Sequence, residues 1–148
     1  MGLFDRVKGV KEAENIKLTK EESFASISLA AIAADGMITE EEAQGMILGL
    51  VRMKMFAGYN PNQMSAMMNK LVGIVRKQGL DSLLNMAKEG LSPDMRETAF
   101  AVATDLALAD GEIAAKEKEI LTKMQQDLGI PEDKAVNIIE VLLIKNKG

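Results

Sequence analysis

The nine residues Ala34-Asp35-Gly36-Met37-Ile38-Thr39-Glu40-Glu41-Glu42 have a counterpart 75 positions later, Ala109-Asp110-Gly111-Glu112-Ile113-Ala114-Ala115-Lys116-Glu117. The shared pattern, Ala-Asp-Gly-x-Ile-x-x-x-Glu, sets carboxylates at fixed distances along the chain from a glycine. That is the chemistry of oxygen ligands for a hard cation. Its Asp, Gly, Ile and Glu have the spacing of positions 5, 6, 8 and 12 of a calcium-binding EF-hand loop, so Glu42 and Glu117 correspond to the last, bidentate ligand. Positions 1 and 3 would be Ala31 and Ala33 in one copy and Leu106 and Leu108 in the other, which excludes a standard EF-hand. Two readings stay open. In one, Asp35, Glu42, Asp110 and Glu117 ligate a divalent cation, either shared by the two copies or held separately at each. In the other, the pattern only ends one helix and starts the next, with glycine at the stop and glutamate at the third position of the following helix. Capping explains Asp35 and Asp110 poorly, because an acid at a helix C-terminus opposes the macrodipole at about 0.3–1 kcal/mol. The second copy also keeps Glu117 although Ala114 is a poor N-cap.

Absent residue types narrow the chemistry further. The 148 residues include no cysteine, histidine or tryptophan, which excludes disulfides, thiol redox centres, zinc fingers, haem ligation and imidazole bases. The cations that remain are those satisfied by oxygen alone, Ca²⁺, Mg²⁺ or Mn²⁺. No dinucleotide fingerprint is present, so no organic cofactor is expected. A carboxylate pair can in principle hydrolyse a substrate, but nothing in the sequence points to one, and the chain is read as a non-enzyme.

The net charge of −4 is unevenly spread. Residues 1–42 carry 5 bases and 9 acids, residues 43–80 carry 5 bases and no acid, and the remainder 8 and 13. The basic block, Arg52, Lys54, Lys70, Arg76 and Lys77, has only Phe56 and Tyr59 nearby for stacking on bases, so a solvated face is expected rather than a nucleic-acid partner. Apolar runs such as Met46 to Val51 and Ile138 to Ile144 fall far short of the roughly 20 residues that span a bilayer. Without an apolar leader, a cytoplasmic protein is expected, with any membrane contact peripheral.

The elements that must position these carboxylates are helices. Apolar residues recur at spacings of three and four from Phe24 almost to the C-terminus, which predicts an all-α bundle of about seven helices with an approximate internal two-fold repeat. Thr19 with Glu22 and Thr39 with Glu42 are capping boxes. The first opens a helix with the apolar face Phe24, Ile27, Ala31 and Ile32. The second opens one that carries Met46, Ile47, Leu50, Val51 and Met53 and is expected to close at Gly58. Asn60-Pro61 and Ser92-Pro93 start two more. A short helix runs from about Leu80 to Glu89 and ends at Gly90, a sixth runs from about Ala115 to Leu128, and the last starts at Ile130-Pro131. Residues 1–17 are read as an amphipathic stub or linker, with Leu3, Phe4, Val7 and Val10 opposite Arg6, Lys8 and Lys11, and residues 18–148 as one helical domain.

Over residues 18–148 the sequence resembles the tellurite resistance TerB family in its short stand-alone bacterial and cyanobacterial form. The resemblance is carried by Ser28-Leu29-Ala30-Ala31-Ile32-Ala33-Ala34-Asp35-Gly36 with Ile38-Thr39-Glu40-Glu41-Glu42 and by Arg96-Glu97-Thr98-Ala99-Phe100-Ala101-Val102-Ala103-Thr104-Asp105-Leu106. Ala109-Asp110-Gly111 and the closing Ile138-Ile139-Glu140-Val141 with Ile144-Lys145-Asn146 complete it. It implies an all-helical fold with pseudo-two-fold symmetry, an acidic metal site and a role in tolerance of tellurium oxyanions or envelope stress, exercised through protein partners that include a membrane-associated component. Mapped residue by residue, the implied ligands are Asp35, Glu42, Asp110 and Glu117, followed by Glu41, Asp105 and Glu112.

The alternative function is a metal-free adaptor that docks through its methionine-rich helices or through the stub lying on a membrane surface. Six methionines fall between Met46 and Met68, and their helical spacing suits a core as well as a docking face. The sequence leaves the oligomeric state open.

Overall fold

A computed structural model describes residues 17–34, 36–109 and 111–147. The proposed amphipathic stub, apart from Lys17, lies outside these residues, as do Asp35 and Asp110. Among the described residues there are seven α-helices and no strand: α1 (Lys20–Ile32), α2 (Glu40–Val51), α3 (Pro61–Gln78), α4 (Leu80–Glu89), α5 (Pro93–Ala107), α6 (Ala115–Asp127) and α7 (Glu132–Lys145), with a 3₁₀ turn at Lys54–Phe56. The N-termini follow local chemistry. Thr19, Thr39 and Asn60 each accept from the backbone N–H of the third helical residue, whose Glu or Gln side chain accepts the cap's own N–H in return. Ser92 caps α5, and Pro61 and Pro93 occupy first helical positions.

α1 is the axis of the bundle. It packs chiefly against α5 and α4, and also meets α2, α3 and α6. The single apolar face expected from the sequence is therefore too narrow: every residue from Ser23 to Ile32 is buried. No charge occurs between Ser23 and Ala34, and small residues such as Ala25, Ser26, Ala30 and Ala31 let neighbouring helices approach from all sides. Ser26 Oγ donates to the Glu22 carbonyl at 2.7 Å, whereas Ser23 Oγ and Ser28 Oγ are buried without a hydrogen-bond partner.

α2 also departs from expectation, ending at Val51 rather than Gly58. Continued as a helix, the chain would carry Phe56 about 100° per residue around the axis, away from the side on which Met46 and Leu50 are buried. Instead Met53 turns extended, and the 3₁₀ segment brings Phe56 into the core. There its ring meets Phe24 edge-on at 6.4 Å and Tyr59 at 5.3 Å. Phe56 is thus no platform for a base. Met46, Met64, Met67 and Met68 are buried and Met53 and Met55 pack against the same core, so the methionine cluster is core rather than docking surface.

Lys70 on α3 reaches the Glu22 carboxylate at 2.8 Å, tying α3 to the start of α1. Burial alone would raise the Glu22 pKa, but the Lys70 ammonium and the Thr19 N–H outweigh it and hold the carboxyl below its usual range.

Candidate cation-binding cleft

The described residues on either side of Asp35 and Asp110 repeat in local geometry as well as in sequence. α1 ends at Ala33 (φ −94°, ψ 5°) and α5 at Leu108 (φ −96°, ψ 6°). Gly36 and Gly111 follow at φ 85° and 81°, a left-handed conformation that glycine adopts without strain. Their N–H groups donate to the carbonyls of Ala33 and Leu108, each at 2.9 Å. The chain then extends through Thr39 (φ −79°, ψ 158°) and Ala114 (φ −71°, ψ 157°) before α2 and α6 begin.

The glutamates fall where the repeat places them. Glu42 Oε1 accepts the Thr39 N–H at 3.0 Å and Glu117 Oε1 accepts the Ala114 N–H at 3.1 Å. In the first copy the Thr39 hydroxyl also accepts the Glu42 N–H, at 3.1 Å. Ala114 has no side-chain oxygen, so the second copy keeps only the glutamate's half of the box. One oxygen of each carboxylate thus serves a cap. A carboxylate offers about four lone-pair directions, so capping and cation ligation are compatible in one residue.

The packing of α2 beside the end of α5 brings the two copies together. A cleft of about 430 Å³ is lined by Thr39, Glu41, Glu42 and Gly45 from the first copy and by Leu106, Ala107, Ala109 and Glu117 from the second, with Ile32 as its floor. Three carboxylates and no lysine or arginine line it, so its field favours a cation. Among the described residues no three carboxylates converge closely enough to hold a metal ion by themselves. The donor set, all oxygen, fits a hard cation. Thr39 and Gly45 belong to this cleft but were not among the residues singled out from the sequence; the capping box was the one signal that marked Thr39.

Asp105 and Glu112 do not line this cleft. Glu112 is exposed beside Gly111. Asp105 accepts from Lys145 Nζ at 3.1 Å and from Asn146 Nδ2 at 2.8 Å, which fastens the C-terminal end of α7 to α5. α7 buries only Ala135 and packs Ile138 and Ile139 partly on the core; among the described residues this clamp and the Lys134–Glu97 ion pair at 2.9 Å are the two polar ties that hold it on α5. Asp105→Ala is expected to cost about 1 kcal/mol, a part-exposed ion pair plus one hydrogen bond. It should speed amide exchange along α7 by roughly 5- to 10-fold relative to α1, measured by hydrogen–deuterium exchange.

No helix among the described residues is long and apolar enough to cross a membrane. No curated protein and no solved structure matches the chain. The family model described as tellurite resistance protein TerB matches residues 21–139, from the first turn of α1 into α7 and through both Asp-Gly turns, and the chain belongs to that family.

Proposed function

We propose that the protein is a non-enzymatic module of tellurite, toxic-oxyanion or envelope stress that binds a divalent cation and engages protein partners in the cytoplasm, with any membrane contact peripheral. The observation that carries the cation reading is the single cleft shared by Glu41, Glu42 and Glu117. Glu42 and Glu117 would hold the ion, with Asp35 and Asp110 as further ligands from the turns and Glu41 at the rim. Ca²⁺, Mg²⁺ and Mn²⁺ suit such donors. Bound there, the ion would supply charge neutralisation and a link between the two turns. The family supports the stress role, and a chain without cysteine or a dinucleotide fingerprint offers neither a thiol nor a recognisable redox-cofactor site with which to reduce an oxyanion itself.

A metal-free adaptor is favoured by a different observation, that Glu42 and Glu117 both complete helix caps. Thermal melting separates the two. At a cation concentration of 100 times Kd the stabilisation is about 2.7 kcal/mol, which raises Tm by roughly 5–10 °C for a chain of this size. Glutamine serves as well as glutamate at the third position of a capping box. The double variant Glu42→Gln/Glu117→Gln should therefore keep the metal-free Tm within about 2 °C and lose the cation-dependent rise. No rise in the original protein at millimolar Ca²⁺, Mg²⁺ or Mn²⁺, or a rise that survives both substitutions, would leave the adaptor as the function.

A further inference from the structure

We propose that the outer face of α2 is a self-association surface on which two copies of this chain pair antiparallel about a two-fold axis. Along α2 and its C-cap Arg52, whose backbone stays helical, the residues Glu41, Gly45, Leu48 and Arg52 recur at spacings of four, three and four, which sets them on one face, and all four are exposed. That face lies opposite Met46 and Leu50, which are buried. Leu48 is 62% exposed and the adjoining Val51 42%, so this part of α2 presents apolar side chains to solvent.

Charge selects the occupant. The exposed acids Glu40 and Glu41 stand at one end of α2, and the exposed bases Arg52 and Lys54 at the other. Among the described residues neither Glu41 nor Arg52 has an ion-pair partner in its own chain. A second α2 laid parallel would set like charges together. Laid antiparallel about an axis between Gly45 and Leu48, it sets Glu41 of each copy against Arg52 of the other and Leu48 of each over Gly45 of the other. This is an isologous arrangement in which one patch complements itself. A Cβ built on Gly45 or Gly49 meets nothing within 4 Å, so the surface is open where the partner's Leu48 would seat, and glycines there allow closer approach than the usual 8–10 Å between helix axes. One helix face buries less than the roughly 800 Å² per partner of a standard stable interface, so the dimer is weak and reversible. The face shares Glu41 and Gly45 with the carboxylate cleft, whereas Leu48 and Arg52 lie outside it, so self-association is read without divalent cation and its failure is distinct from failure of cation binding.

Sedimentation equilibrium of the full chain from about 10 µM to 1 mM, without divalent cation, tests it across the range expected for a small interface. The expected result is a monomer–dimer equilibrium weakened at high salt. Arg52→Glu and Glu41→Arg, each alone, should weaken it at least tenfold, and the two together should restore it to within about threefold, because the swapped charges again oppose across the axis. Leu48→Gln, a surface change that leaves the core intact, should also weaken it at least tenfold. A chain that stays monomeric throughout overturns the proposal and leaves the face to a different partner. A dimer indifferent to Arg52→Glu and Leu48→Gln places the interface elsewhere and overturns it equally.

Discussion

Gly90→Ala is expected to destabilise the protein by about 2–3 kcal/mol, lowering Tm by roughly 5–10 °C. Gly90 ends α4 at φ −84°, a conformation open to any residue, so backbone freedom is not what requires glycine here. The reason is the crossing with α1. A Cβ at position 90 would fall on Ser23 Oγ, 2.9 Å from Ser23 Cβ and 3.4 Å from the Leu18 carbonyl. The hydroxyl makes no hydrogen bond that would be lost, but Ser23 is fully buried, so displacing it carries part of the cost; the Cβ moves only if α1 moves, and α1 is enclosed by five other helices. Ser23→Ala alone should be neutral or slightly stabilising, since it removes a buried hydroxyl without a partner. In that background Gly90→Ala should still be destabilising, but less so, with a coupling of about 1 kcal/mol between the two positions. Denaturant titration of the four proteins of this cycle measures it. Strict additivity would show that the Ser23 hydroxyl is no part of the cause and leave the penalty to the Cβ and the Leu18 carbonyl.

Gly90 also shows where sequence reasoning stops. A glycine just after a helical pattern reads as a helix stop, and at Gly36 and Gly111 that reading agrees with the positive φ of both turns. At Gly90 the same signal has a tertiary origin that no local rule contains. The helix starts were legible because caps are local: Thr19, Thr39, Asn60 and Ser92 each bond to a group three residues away. The end of α2 was not, because it depends on where Phe56 must go to meet Phe24, 32 positions earlier in the chain. The burial of α1 on all sides was hidden for a related reason. Periodicity detects the contrast between faces, and a helix built from alanine, serine and a few large apolar residues has little contrast to detect.

The candidate site divides in the same way. Glu42 and Glu117 were legible because the pattern repeats at an offset of 75. That both line one cleft depends on α2 lying beside the end of α5, which neither copy of the pattern encodes. Asp105 entered the candidate ligands through family resemblance, yet its partners are 40 and 41 residues away at the end of the last helix. Its neighbours in sequence said nothing of them.

Phe100→Ala is expected to have the largest effect on stability, about 3–5 kcal/mol and a fall in Tm of roughly 10 °C or more. Phe100 is fully buried on α5 and forms one wall of an apolar cleft of about 390 Å³ beside Leu121, Ala135 and Ile139. Truncation removes the ring's own burial and merges the space it leaves with that cleft. Because the enlarged space opens toward solvent, part of the cavity term is relieved by water, which favours the lower end of the range. Phe100→Leu, which keeps most of the volume, should cost about 1–1.5 kcal/mol. The variant also complements the carboxylate substitutions. Linkage adds the free energy of cation binding to whatever folding stability remains, and Phe100 does not line the carboxylate cleft. In Phe100→Ala the metal-free Tm should therefore fall while the cation-dependent rise persists. In Glu42→Gln/Glu117→Gln the metal-free Tm should hold while the rise disappears. Melting both proteins with and without Mn²⁺ distinguishes a cation acting through the two glutamates from one that stabilises the bundle non-specifically, because a non-specific ion would raise both proteins alike.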